Sequence, residues 1–120
     1  MLKTDYDMID SYPTMDGSLV RELMHPKVHG NSRQSLAEAV IPAGVQTYLH
    51  RHQVSEEIYY IMEGTGFMVL GTERFDVKPG DTIAILSGIP HQITNTGEGP
   101  LRILCCCSPA YSHEDTELLK

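Results

Sequence analysis

The chain has 120 residues, with nine Lys or Arg against sixteen Asp or Glu, which leaves a formal net charge of −7 at pH 7. This length suits one domain that buries a hydrophobic core without needing disulfide bonds or a structural metal. The acidic balance weighs against nucleic acid and against an anionic membrane surface as partners. Because the sequence has no secretory leader and no apolar run approaching about eighteen residues, we expect a cytoplasmic protein.

Short β-forming runs alternate with turns rich in Gly and Pro along most of the chain. Turn signals recur about every eight to twelve residues, which is typical of an all-β sandwich or barrel, and no segment keeps a helical period over about three turns. Strands are predicted at residues 18–24, 35–41, 45–52, 57–62, 66–70, 73–77, 82–86, 91–95 and 101–107.

The two ends of the chain have weaker patterns than the middle. Residues 1–17 are predicted to form an N-terminal arm, either mobile or at the edge of a sheet, before a β-barrel over residues 18–111. Residues 112–120 are polar and are predicted to be a C-terminal tail with one short helical turn.

His50 and His52 are the strongest functional signal in the sequence. Side chains at i and i+2 of a strand point to the same face, so these two imidazoles would lie side by side. Glu57 begins the next β-forming run, and a turn between the strands can place its carboxylate opposite them. With His91, these residues offer three nitrogen ligands and one oxygen ligand. Such a set favours a first-row transition metal over calcium or magnesium and leaves coordination positions open.

The spacing of these residues resembles the two motifs of the cupin superfamily, which are small β-barrels. The first motif has the form G-x5-H-x-H-x(3,4)-E-x6-G, and the matching residues are Gly44, His50, His52, Glu57 and Gly64. The second has the form G-x5-P-x-G-x2-H-x3-N, and the matching residues are Gly80, Gly88, His91 and Asn95, with Leu86 in place of the proline.

The resemblance implies an all-β fold, a single jelly-roll or double-stranded β-helix barrel. It also implies one divalent transition metal (Fe, Mn, Ni, Co, Cu or Zn) bound by His50, His52, Glu57 and His91. Tyr48 and Tyr59 alternate in phase with His50 and Glu57, so both are predicted to face the interior. There they would pack as aromatic residues or would hydrogen-bond a ligand or substrate, as candidate catalytic residues.

Several other residues have predicted roles. Glu38 and Arg33 are expected to be solvated charges, and Arg51, on the outward face between His50 and His52, is expected to form a salt bridge. The expected core residues are Phe67, Val69, Ile83, Ile85, Ile93, Leu101 and Ile103. The three consecutive cysteines Cys105, Cys106 and Cys107 offer no spaced disulfide framework, and we expect them to pack as small apolar residues, with a reactive thiol or a further metal ligand as the alternative.

The resemblance admits dioxygenases, sugar-phosphate isomerases, decarboxylases and oxalate-type enzymes. A phosphorylated sugar would need Arg or Lys at the mouth of the pocket, and the strands expected to build it carry few basic residues. We therefore favour a metal-dependent oxidoreductase of dioxygenase type that acts on a small molecule. A sugar or sugar-phosphate isomerase, a non-catalytic small-molecule binding module and a purely structural role are the alternatives. Apolar residues on the outer face, Ile58, Tyr60 and Met62, suggest a homodimer.

Overall fold

A computed structural model describes residues 1–119, which form two antiparallel β-sheets and very little helix. The strands are β1 Tyr12–Pro13, β2 Leu19–Met24, β3 Ser35–Ile41, β4 His50–His52, β5 Glu56–Glu63, β6 Gly66–Leu70, β7 Glu73–Val77, β8 Thr82–Ile85, β9 His91–Asn95, β10 Leu101–Ser108 and β11 Thr116–Leu118. A 3-10 turn at Tyr6–Met8 and a single helical turn, α1, at Pro26–His29 complete the fold. The all-β prediction is confirmed.

The larger sheet has the order β1-β2-β3-β10-β5-β8, and the smaller one has the order β11-β4-β9-β6-β7. Burial alternates along the central strands: on β5, Tyr59 and Ile61 point inward while Ile58 and Tyr60 point to solvent. This period of two places one apolar face of each sheet in the core. Side chains from both sheets, among them Ile61, Met68 and Ile103, form one continuous core cluster. Among residues 1–119, no helix has both the length and the apolar character needed to cross a membrane.

The strand predicted at residues 45–52 is regular only over His50–His52. Before it, the backbone N–H of Thr47 donates to the Ile93 carbonyl, while the Thr47 hydroxyl accepts from the Ile93 N–H. A side chain therefore takes over part of the strand ladder, and the alternation of faces is lost between Thr47 and His50. As a result the Tyr48 side chain is 62% exposed, and the prediction that it faces the interior is wrong.

The predicted phase of β6 is also wrong by one residue. Met68 is fully buried, whereas Phe67 is exposed and Val69 only half-buried. Gly66 sets this phase, because a Cβ at that position would lie 2.9 Å from the Thr94 carbonyl oxygen and 3.0 Å from the Leu101 side chain. Gly66, which has no side chain, and Met68 therefore face the core.

Glu38 is buried on the outer side of β3, not solvated as predicted. Its carboxylate accepts hydrogen bonds from the Tyr6 hydroxyl at 2.5 Å and from Arg102 Nη2 at 2.7 Å, with Arg21 Nη1 at 3.3 Å. Although burial raises the pKa of Glu38, these hydrogen bonds and charges lower it overall. The first residues of the chain thus cover a charged cluster on the larger sheet.

Both ends of the chain extend the sheets. At the N-terminal end, Tyr12 and Pro13 pair with β2 as an edge strand. At the C-terminal end, β11 pairs with β4, with Thr116 opposite His52 and Glu117 opposite Arg51. The tail has one hydrogen-bonded turn, in which the Thr116 N–H donates to the His113 carbonyl at 3.1 Å, but it continues as an edge strand and not as a helix. The predicted salt bridge of Arg51 is confirmed, since its Nη2 lies 2.7 Å from Glu117 Oε1. The three-part division of the chain remains a prediction.

Candidate metal centre

The predicted ligand residues meet between the two sheets. His50 and His52 lie on β4, and His50 stands directly opposite His91 on the neighbouring strand β9. Glu57 approaches from β5 of the larger sheet. All four side chains are buried.

The nitrogen atoms of the three imidazoles that could bind a metal lie within 4.8 Å of one another. The carboxylate of Glu57 completes the cluster on one side, because its Oε1 lies 3.2 Å from His52 Nε2 and 3.6 Å from His91 Nε2. These distances are those expected for ligands that share one ion, because two donors at about 2.1 Å from a metal are separated by about 3 to 4 Å.

Backbone carbonyls orient two of the imidazole rings. His50 Nδ1 lies 2.8 Å from the Tyr48 carbonyl oxygen, and His91 Nδ1 lies 3.1 Å from that of Ile89. A carbonyl can only accept a hydrogen bond, so in both residues Nδ1 carries the proton. The Nε2 atom of a neutral ring then presents its lone pair to the centre, as a metal ligand must.

A hydroxyl has the same role for His52. Its Nδ1 lies 3.0 Å from Thr116 Oγ1, and that hydroxyl donates its own proton to the Ser112 carbonyl at 2.9 Å. The threonine oxygen therefore accepts the Nδ1 proton of His52. Tyr111 also contacts His52, with its ring edge-on at a centroid distance of 5.8 Å.

The donor set fits a bound cation. His91 Nε2 is buried without a hydrogen-bond partner among the described residues. Nitrogen lone pairs that face a buried carboxylate repel it unless a positive charge lies between them. Either a proton on an imidazole or a metal ion can supply that charge, and three convergent imidazoles with one carboxylate suit a divalent transition metal.

The protonation states agree with this interpretation. Burial raises the pKa of Glu57, but the neighbouring imidazoles of His52, at 3.2 Å, and His91, at 3.6 Å, outweigh that effect and lower the pKa to about 2. Burial, together with the charge of His91, lowers the pKa of His50. Glu57 is therefore ionised and His50 neutral near pH 7, which are the forms that bind metal.

A cavity of about 60 Å³ lies beside the cluster, between it and the larger sheet. Small and apolar side chains form much of its wall, including Ala37, Ala39 and Val20. Three carboxylic residues line it, Asp16, Glu22 and Glu57, whereas no Lys or Arg within the described part of the chain does. The cavity is thus small and lacks basic residues that would hold a highly charged anion.

Of the two tyrosines considered, only Tyr59 lines the cavity, and its ring lies 6.1 Å from that of His91. Burial and the charge of Glu57 raise the pKa of Tyr59 well above its usual value, so it keeps its hydroxyl proton. Tyr48 contributes only backbone atoms: its N–H donates to the Asp16 carbonyl and its own carbonyl accepts from His50.

Asp16, Tyr111 and Thr116 also line the cavity, and the sequence motifs did not predict them beside the histidines. Cys107 Sγ lies 3.4 Å from Glu57 Oε2 and donates to it. Burial and the nearby Glu57 raise the pKa values of Cys105 and Cys107, so both remain thiols. Alternation along the last strand already put these two cysteines on one face. Nothing local in the sequence indicated that this face lines the cavity.

The family profile described as the cupin domain matches residues 37–107 of this chain. The chain is a cupin. This cupin is 57% identical over 120 residues to an uncharacterised protein of Methanocaldococcus jannaschii, and the match spans all of the chain and 96% of that protein.

Two further proteins are similar to this cupin. An oxalate-binding protein of Thermotoga maritima is 35% identical over 86 residues, which cover 72% of this cupin and 67% of that protein. The solved structure of the polyketide cyclase RemF from Streptomyces resistomycificus has a TM-score of 0.83 at 21% identity, covering 100% of this cupin and 86% of that chain. At that identity the second likeness shows the fold alone.

Proposed function

We propose that this cupin binds one divalent transition metal (Fe, Mn, Ni, Co, Cu or Zn) through His50, His52, Glu57 and His91, and acts on a small oxygen-bearing molecule in the adjoining cavity. The observation that carries the proposal is the buried His91 Nε2, which has no hydrogen-bond partner within residues 1–119 and faces the Glu57 carboxylate 3.6 Å away. A bound metal of this class supplies Lewis acidity or redox chemistry to the oxygen atoms of a substrate.

The surrounding residues would prepare the site for such chemistry. The Nδ1 hydrogen bonds of the three histidines fix the rings, so little reorganisation is needed on binding. Glu57 supplies a permanent negative charge. Tyr59 retains a phenolic proton at the cavity wall, from which it would donate a hydrogen bond to a substrate oxygen. Tyr59 is the candidate catalytic residue of this proposal.

The charge of the cavity bears on the substrate class. A sugar phosphate carries about two negative charges and is held in proteins by Arg or Lys. The cavity is lined by three carboxylic residues and, within residues 1–119, by no Lys or Arg. This favours dioxygenase-like or other oxidoreductase chemistry on an uncharged or singly charged chelating molecule, over a sugar-phosphate isomerase.

Non-catalytic binding of a small carboxylate is the second candidate. The similarity to an oxalate-binding protein, 35% identical over 72% of this chain, favours it. In this cavity the metal would be the main positive charge available to such an anion. Binding without turnover would distinguish this candidate from the first.

The test combines metal analysis with oxygen uptake. Purified protein is expected to hold about one transition-metal ion per chain, and the triple variant H50A/H52A/H91A is expected to hold none while keeping the circular dichroism of a β-protein. Stoichiometric metal in the triple variant would exclude the site. Iron- or nickel-loaded protein is then assayed for oxygen uptake with diketones, thiols and catechols, and for oxalate binding by calorimetry. Oxalate binding with no uptake for any compound would favour the second candidate.

The assembly and location remain part of the proposal. Ile58 and Tyr60 are exposed next to each other on the outer face of the larger sheet, where apolar surface favours a homodimer of a cytoplasmic protein. Light scattering would detect it. A monomer at micromolar concentration would contradict the homodimer.

A further inference from the structure

We infer that Asp16 is a second carboxylate ligand of the metal centre, and this inference rests on the proposed function. Asp16 lies in the segment before β2, outside both cupin motifs and outside the strands that carry the histidines. Its Oδ2 lies 3.7 Å from His50 Nε2, nearly the distance that separates Glu57 Oε1 from His91 Nε2, 3.6 Å. Two donors that share a metal ion are separated by about 3 to 4 Å.

The carboxylate of Asp16 is held in this position. Its Oδ1 accepts three hydrogen bonds, from Thr14 Oγ1 at 2.6 Å, from the Ser18 N–H at 3.0 Å and from Ser18 Oγ at 2.7 Å. Because Oδ1 accepts these three hydrogen bonds, Oδ2 is the oxygen available to an ion, and it is the one that lies near His50 Nε2. A side chain whose rotation is blocked in this way loses little entropy when it binds an ion.

One residue, Tyr48, links Asp16 to His50. The Tyr48 N–H donates to the Asp16 carbonyl at 2.9 Å, and the Tyr48 carbonyl accepts from His50 Nδ1 at 2.8 Å. The main chain of Asp16 and the ring of His50 are therefore fixed by the same residue. Their separation is set by the fold and not by a flexible surface loop.

A second carboxylate would change the charge of the centre. A divalent ion bound by three neutral imidazoles and Glu57 alone keeps one net positive charge. With Asp16 as a further ligand, the charge of the centre falls to zero. A neutral centre in a cavity without basic side chains has no electrostatic preference for a dianion, so the substrate class narrows to uncharged or singly charged oxygen chelators.

The experiment uses cobalt(II) and the full chain. Wild type is compared with Asp16→Asn, which keeps an Oδ1 acceptor for the turn, and with Asp76→Asn, which makes the same chemical change at an exposed position of β7. Cobalt affinity is measured by competition with a chelator, and the visible absorption of the bound ion reports its coordination number. We expect D16N to bind cobalt about 10- to 100-fold more weakly, with an altered spectrum, and D76N to match wild type.

Each alternative result is informative. If D16N keeps both the affinity and the spectrum of wild type, Asp16 is not a ligand and the four-ligand proposal stands. If only the affinity falls, Asp16 acts as a nearby charge, which also overturns the assignment. If wild type itself binds no cobalt, the metal centre fails as well. Should D16N be less stable without metal, Ser18→Ala measures the effect of the turn alone, because it removes the Ser18 Oγ hydrogen bond to Oδ1 and keeps both the backbone N–H donor and the carboxylate. Only a loss of affinity beyond that of S18A supports the assignment.

Discussion

His52 on β4 and Thr116 on β11 are joined by a hydrogen bond of 3.0 Å between Nδ1 and Oγ1. Because the threonine proton is donated to Ser112, this contact leaves His52 Nε2 free for the centre. Replacing Thr116 with valine keeps the shape of the side chain and removes the acceptor. We expect T116V to weaken metal binding by about tenfold, the smaller end of the range for such orienting contacts.

The measurement is chelator competition with the metal found in wild-type protein. Thr116→Ser is the matched control, because it keeps the hydroxyl and is expected to bind almost as tightly as wild type. Equal affinities for T116V and T116S would show that the ring of His52 needs no acceptor to hold its orientation.

The metal-free protein is expected to lose stability in acid. Glu57 has a pKa of about 2 in the folded protein against an ordinary value of 4.5, so between these values the unfolded chain binds the additional proton. The folded pKa of His50 is also lowered, from an ordinary 6.5, so the unfolded chain again takes up its proton first as the pH falls. Both groups therefore reduce the free energy of unfolding as the pH drops, in two separate windows.

Calorimetry in the presence of a chelator, from pH 8 down to about pH 3, would test this dependence. The thermal midpoint of wild type is expected to fall first below about pH 6.5 and again below about pH 4.5. Glu57→Gln removes only the second fall. If E57Q and wild type decline in parallel below pH 4.5, another carboxylate causes the acid loss.

The buried cluster around Glu38 is expected to stabilise the fold. Glu38→Gln removes the charge that Arg102, Arg21 and the Tyr6 hydroxyl all contact. Because both arginines remain partly exposed and can be solvated, we expect a loss of about 2 to 3 kcal/mol in the free energy of unfolding. Urea denaturation measures it.

Glu63 offers the control for this prediction, because it also pairs with Arg102, at 3.2 Å, but is itself half exposed. Glu63→Gln is expected to change stability by less than about 0.5 kcal/mol. A loss for E63Q as large as that for E38Q would mean that burial does not decide the strength of these ion pairs.

Two motif glycines should differ in their tolerance of alanine. Both have positive φ, +89° at Gly64 and +76° at Gly44, so alanine at either is strained by about 1 kcal/mol. A Cβ at Gly64 would lie 2.5 Å from the Pro100 carbonyl oxygen, whereas at Gly44 it would meet open space. We expect this backbone clash to lower the free energy of unfolding of G64A by a further ~1 to 3 kcal/mol. Chemical denaturation would detect the difference. Equal losses would exclude the clash as the cause.

Much of the fold could be predicted from local sequence alone. The bounds of β3, β6, β7 and β9 agree with the predicted ranges, because each strand has a regular run of β-forming residues that turn residues bound. His50, His52 and His91 also come together, as their motif spacing indicated, and Glu57 lies 3.2 Å from His52. In both cases the signal is local: turn residues bound each strand, and each histidine lies within a short motif.

The misses share a different cause, because each depends on a partner far along the chain. Glu38 is buried because residues 32 positions before it and 64 positions after it supply its hydrogen bonds. Tyr48 turns outward because Thr47 pairs with Ile93, 46 positions later. Asp16 reaches the centre through Tyr48. Alternation within one segment predicts which side of a strand a residue occupies. It does not predict which distant residue packs against that side.

The pairing of β11 with β4 has a consequence for the order of events during synthesis. His50 and His52 leave the ribosome well before Thr116, which completes the hydrogen bonding of His52. Until translation passes that point, one edge of β4 has no strand beside it, and open edges are where chains join to one another. A nascent or truncated chain that ends before Thr116 would therefore expose the strand of His50 and His52 to aggregation.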